Sequence, residues 1–184
     1  MKTSSALAAA LLWPLVAGAQ GAWPQQPDAV MGIRLGAPLE GAGIQPCDAS
    51  NEFRGRISTT ALCFQPRAAQ GRSDRTFYTV HNSPDLGAGS QEVVLDVAFG
   101  DVAGILLTGS TIRFDKMVAV LEARYGPATE TKAGTARNPA GGQFATETKR
   151  WRGDRVTIEA TSPFGRADQF TVYWSHLATQ ARRK

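Results

Sequence analysis

The densest set of reactive side chains in the chain is His81-Asn82-Ser83-Pro84-Asp85. A base, a hydroxyl nucleophile and an acid able to orient the base stand in one short stretch. A hydrolytic triad is assembled in space, as a rule from distant segments, and in one large class its serine sits on a sharp strand-to-helix turn. No such turn surrounds Ser83. The same letters describe a turn whose Asn, Ser and Asp side chains bond to nearby backbone. The second histidine, His176, follows a strand pattern and precedes a polar tail, where a surface histidine is the simpler reading. A small hydrolase using His81 or His176 is the enzymatic alternative.

Metal and cofactor chemistry finds little support. The chain has two His and two Cys, and a structural zinc site wants about four such ligands. No acidic loop has calcium-type spacing. Gly41-Ala42-Gly43 and Gly87-Ala88-Gly89 lack the Lys-Ser/Thr ending of a phosphate loop, and read as turns. No cofactor is expected.

Two sets of residues could bind without reacting. Arg54, Arg56, Arg67 and Arg72 form a run with no acid between them. Guanidinium groups pair bidentately with carboxylate and phosphate, so this run could hold an anionic envelope component. A solvated basic loop, neutralised by Glu52 and Asp74, explains the same residues. Thr157, Thr171 and Tyr173 should share the polar face of a sheet, where an aromatic could anchor a partner; single exposed aromatics are also common.

The compartment follows from the N-terminus. MKTSSALAAALLWPLVAGAQ has a charged start at Lys2, an apolar core from Ala6 to Val16 and a small-x-small site at Ala17-Gly18-Ala19. That is the pattern of a secretory signal over residues 1–19, which places the mature protein in the periplasm or outside the cell. The apolar run is too short to span a bilayer, and no later stretch is long enough. Losing Lys2 and no acid takes the formal charge from +4 to +3. That excess is too small and dispersed to argue for nucleic acid. Export makes a disulfide the expected state of Cys47 and Cys63, with zinc or a redox pair as alternatives. Its short loop would contribute roughly 3 kcal/mol in the chain-entropy model.

These residues must be positioned by regular elements, and the clearest is Thr111 to Pro127. Phe114, Met117, Val118, Leu121 and Tyr125 recur at helical spacing, Thr111 can cap the start, and Gly126-Pro127 ends the helix. Before it, Val93, Leu95, Val97 and Phe99 alternate with Val94, Asp96 and Ala98, Gly100-Asp101 turns, and Val102 to Thr108 returns as a strand. After it, Lys132 to Gly142 reads as a polar connection. Three strands follow: Phe144 to Trp151, Arg155 to Thr161 and Gln169 to Ser175. A two-residue turn at Gly153-Asp154 puts Trp151 in the core; a three-residue turn puts it outside. Residues 20–31 read as an extended lead-in from which Trp23 could fold back. Residues 45–92 read as an irregular region tethered by the disulfide, with one strand at Thr76 to Val80.

The expected fold is therefore α+β and two-layered: one domain over 32–176, an antiparallel sheet of hairpin, helix and three-stranded meander, and a basic tail at 177–184. The expected core is Leu95, Val97, Phe99, Ile105, Leu107, Phe114, Met117, Leu121, Val156, Ile158, Phe170, Val172 and Trp174.

Gly32-Ile33-Arg34-Leu35-Gly36-Ala37-Pro38-Leu39 before Cys47, and Leu121-Glu122-Ala123-Arg124-Tyr125-Gly126-Pro127 before Trp151, resemble small exported proteobacterial proteins of unassigned function. A helix ending in Gly-Pro, then a strand bearing Trp, is more remotely similar to the small lipoprotein of the outer-membrane β-barrel assembly machine and to domains of β-lactamase inhibitor proteins. That resemblance implies a binding or scaffolding module. The chain lacks the assembly lipoprotein's anchor cysteine and has a different element order, so no interaction residue is carried over. The leading expectation is an exported, non-catalytic module binding a protein or cell-envelope component, with a structural or assembly subunit as a third class.

Overall fold

The structure, a computed structural model, describes residues 23, 25–48, 52–53, 56–57, 60–67, 74–87, 89, 91–137 and 141–182. The segment read as a secretory signal, with Arg54 and Arg72, lies outside them. Among the described residues no helix is long and apolar enough to cross a membrane.

The elements run β1 (Ala29–Val30), β2 (Ile33–Arg34), β3 (Gln45–Pro46), β4 (Glu52–Phe53), β5 (Arg56–Ile57), β6 (Cys63–Pro66), β7 (Arg75–His81), β8 (Glu92–Ala98), β9 (Asp101–Ser110), α1 (Phe114–Tyr125), β10 (Glu130–Arg137), β11 (Gln143–Arg152), β12 (Val156–Ser162), β13 (Gln169–His176) and α2 (Leu177–Ala181). Nine strands form one sheet in the order β10-β11-β12-β13-β9-β8-β7-β6-β3. All its pairs are antiparallel except β3 with β6. This corrects the expected two-layer α+β fold with an antiparallel sheet of hairpin and three-stranded meander: the described residues are mostly β, 50 % strand against 17 % helix, and the sheet is mixed.

The extra strands come from segments without apolar alternation. The expected connection Lys132 to Gly142 is largely β10, exposed along most of its length and held by backbone pairing from Glu130–Arg150 to Arg137–Gln143. The expected irregular region supplies β3, β6 and a longer β7. Cys47 and Cys63 stand at disulfide geometry, with sulfurs 2.10 Å and Cα atoms 4.9 Å apart. They tether the loop that follows β3 to the first residue of β6.

One face of this sheet is closed. Val93, Leu95, Val97, Ile105, Leu107, Val156, Ile158, Phe170, Val172 and Trp174 join Phe114, Met117, Val118, Leu121 and Tyr125 of α1 in one buried cluster. Phe114 and Phe170 rings meet at 5.8 Å. The carbonyls at the C-terminal end of the helix, which lack intrahelical donors, are met by two indoles: Trp23 Nε1 donates to Tyr125 O (2.7 Å) and Trp151 Nε1 to Gly126 O (2.8 Å). The lead-in thus enters the core, with Trp23 edge-on to Tyr125 and Val30 and Met31 buried. Trp151 is fully buried, but through a longer turn than expected. Pairing of Arg152 with Thr157 leaves four residues, Gly153 to Val156, beyond the last β11–β12 pair, an even count that keeps the same parity.

Two local expectations are corrected. The helix begins at Phe114 after a 3-10 turn over Thr111–Arg113, and no side chain caps it; Thr111 instead donates its amide to Asp168 O at 3.0 Å. Phe99 is not core: it is 50 % exposed. The strand ends at Ala98, which pairs with Asp101, so the two-residue turn is Phe99-Gly100 rather than Gly100-Asp101. Both residues have positive φ, +53° and +85°, as a turn matching strand twist requires. That conformation carries the Phe99 ring off the core face.

Candidate functional site

The opposite face of the same strands is open and carries a groove of about 360 Å³ lined by Arg75, Phe77, Val94, Asp96, Leu106, Glu159, Phe164, Thr171 and Tyr173. Register brings these together. Arg75 and Phe77 alternate on β7 with the residues opposite Val97 and Leu95, while Glu159 and Tyr173 are partners across β12 and β13. The walls are mostly apolar, with Val94 buried and Phe164 half exposed.

The floor is a buried polar network. Asp96 is 3 % exposed. Arg75 donates to both its oxygens, through Nε and Nη2. Tyr173 donates its hydroxyl to Asp96 Oδ2 at 2.5 Å. Gln180, from α2, donates to the Tyr173 hydroxyl at 2.8 Å and to Ala103 O at 3.3 Å. A buried carboxylate is tolerated when paired and hydrogen-bonded in this way. Burial pushes the Tyr173 phenol up to about 12, with the Gln180 contact opposing that rise, so it stays a donor through the physiological range.

Local irregularities make room for the network. Pairing jumps from Asp96–Gly104 to Val97–Val102, leaving Ala103 as the extra residue of a bulge; Gln180 caps the carbonyl so freed. A Cβ on Gly104 would come within 2.5 Å of the Tyr173 hydroxyl, so only glycine lets that ring lie across β9. Bulges gather beside binding sites because they re-aim side chains. Arg75 also lies 5.7 Å from the Phe77 ring centre.

Of the residues singled out in the sequence, Thr171 and Tyr173 enter the groove; Thr157 shares their face by register without lining it. Arg67 pairs with Glu92 at 3.0 Å, both half exposed, and Arg56 lies in β5. The His81–Asp85 stretch does not assemble. Asp85 Oδ1 accepts from the amides of Gly87 (2.7 Å) and Gly89 (3.2 Å), holding a turn, and Ser83 meets Gln91 at 3.5 Å. His81 pairs in register with Cys63, and its Nε2 has no partner among the described residues. His176 sits against Gly36, with Nδ1 2.9 Å from Thr179 Oγ1. Burial first, then Arg155 and Arg182, hold its imidazole below the ordinary value, against Asp101. Neither histidine lines the groove. No group of three or more His, Cys, Asp or Glu among the described residues could hold a metal ion.

Sequence reasoning missed Arg75, Asp96 and Gln180. One signal was available for Asp96. Its nearest face-mates on β8, Val94 and Ala98, are apolar, and an acid flanked in this way requires a partner if it is buried. Nothing local names Arg75 or Gln180 as that partner.

Compared with known proteins, the chain matches no protein-family model, no curated protein and no solved structure.

Proposed function

We propose that the protein is an exported, non-catalytic binding module, whose open sheet face receives an uncharged apolar group of a protein or cell-envelope component. The observation that carries this reading is the groove itself. Its volume of about 360 Å³ is in the range of ligand sites, which are mostly apolar with a few convergent polar groups. Its charges are already matched, Arg75 with Asp96 and Glu159 with Arg150. A charged ligand would have to break those pairs; an apolar one need only displace water. The Asp96 carboxylate accepts from Arg75 and Tyr173, an arrangement suited to holding a surface rigid.

Export is part of the proposal, and it predicts a mature protein beginning at Gln20, read by N-terminal sequencing of the secreted or periplasmic form. The binding test is capture from an envelope extract with the wild type and Leu106→Arg in parallel. A component held by the wild type and released by Leu106→Arg, and shifting the NMR signals of Phe77, Leu106 and Thr171 when added back, supports the groove. Equal recovery by both proteins would remove it.

A further inference from the structure

A second basin, on the helix side of the sheet, has a different character. Its volume is about 440 Å³, and Pro38, Leu39, Glu40, Asp74, Tyr78 and Phe99 line it. Thr76 and Tyr78 of β7 face this side, opposite in parity to Arg75 and Phe77 of the groove. No Lys or Arg is among its lining residues, although the chain as a whole carries a formal charge of +4. The carboxylates of Glu40 and Asp74 meet neither an ion-pair partner nor a hydrogen-bond donor among the described residues, and the Tyr78 hydroxyl is likewise without one.

Among the residues lining this basin, Phe99 is half exposed. Its φ of +53° is one that bulky L-residues rarely adopt and that glycine or asparagine would take more readily. The turn is gripped from both sides. Phe99 N donates to Asp74 O (3.1 Å), Leu39 N donates to Gly100 O (2.9 Å), and Pro38 bridges to Asp101. The backbone is thus held with Phe99 lining the same basin as two carboxylates that meet no cation among the described residues.

We propose that this basin is a binding site for an organic cation, an alkylammonium or guanidinium group, taken between the Phe99 ring face and the carboxylates of Glu40 and Asp74. An aromatic face attracts such a cation through its quadrupole, and the carboxylates supply full negative charge. The Tyr78 hydroxyl offers a further acceptor, and Leu39 and Val97 meet the carbon stem. The cation belongs to a free small amine or to a lysine or arginine side chain of a partner. The site is independent of the apolar groove and stands if the groove proves empty.

The test is an NMR titration of the full chain with tetramethylammonium chloride and n-butylammonium chloride, against sodium chloride at equal ionic strength and against neutral n-butanol. The expected result is saturable shifts at Glu40, Asp74 and Phe99 with the organic cations only. Phe99→Gly should raise the melting temperature, because it relieves the backbone, while weakening binding roughly two- to five-fold, the scale of an exposed cation–π contact. Glu40→Gln combined with Asp74→Asn should abolish saturation with the fold intact. Titration with a lysine-containing tripeptide blocked at both ends then separates the sources: tighter binding than butylammonium assigns the site to a partner's side chain, equal binding to a free amine. Shifts no larger than those from sodium chloride, equal binding of n-butanol, or undiminished binding by Phe99→Gly would overturn the proposal.

Discussion

The two faces of the central strands are made from alternate residues of the same segments, yet they are held by different physics. Under α1 the contacts are apolar and dispersed: Leu95, Ile105, Leu107, Val172 and Trp174 are each fully buried, and the helix stripe seats on them. On the open face one polar network does the organising, with Asp96 at its centre. Dispersed apolar packing tolerates small shifts, because each contact contributes little. A buried ion pair depends on every partner being present, since an uncompensated charge in a low dielectric is costly. One face is therefore built for stability, and the other for keeping a particular shape facing solvent.

That contrast predicts a ranking. Trp174→Ala, on the closed face, should cost about 3–5 kcal/mol in urea unfolding, as large aromatic truncations in packed cores do. Asp96→Ala should cost about 3 kcal/mol by leaving Arg75 uncompensated, and pairing it with Arg75→Met should restore most of that loss. If the double variant is no better than the single, the pair is not what holds the open face. Tyr173→Phe keeps the ring and removes one donor, so a loss of about 1–2 kcal/mol is expected, with Phe77 and Leu106 resonances moving and those of Val172 staying.

The smallest effect belongs to His176, at the end of the sheet. Its folded pKa lies below the unfolded value, because burial and the neighbouring Arg155 and Arg182 disfavour the charged ring. The unfolded chain then binds more protons, so stability rises with pH across that window. The neutral ring is fully accommodated above the unfolded pKa. The contribution falls as pH drops through that value and levels off below the folded one. Melting curves between pH 8 and 5 should fall more steeply for the wild type than for His176→Gln; parallel curves would show that His176 is not the group responsible.

How much of this was legible in the chain differs between the faces in the same way. Phe114, Met117, Leu121 and the β8, β9, β12 and β13 alternations read correctly because burial selects side chains at fixed spacing. Phe99 misled because it continues an apolar alternation past the strand's last residue. β10 and β3, the two edges of the sheet, were missed because an edge strand is held by its neighbour's backbone, which leaves no mark on residue type. Tyr173 and Thr171 were found as face residues. The contacts that Tyr173 makes there, with Arg75 and Gln180, come from residues that the fold alone makes neighbours.

The amino-acid sequence by itself determined the amphipathic helix, the apolar alternation of the four central and following strands, and the pair of cysteines able to close a loop. Each is written in local spacing, and spacing is what periodic burial acts on. Only the tertiary structure decided that the sheet has nine strands, that Asp96 meets Arg75 and Tyr173, and that Phe99, Glu40 and Asp74 line one basin. Those outcomes turn on long-range register and on the one-residue bulge at Ala103, and a register is a relation between segments that no single segment encodes.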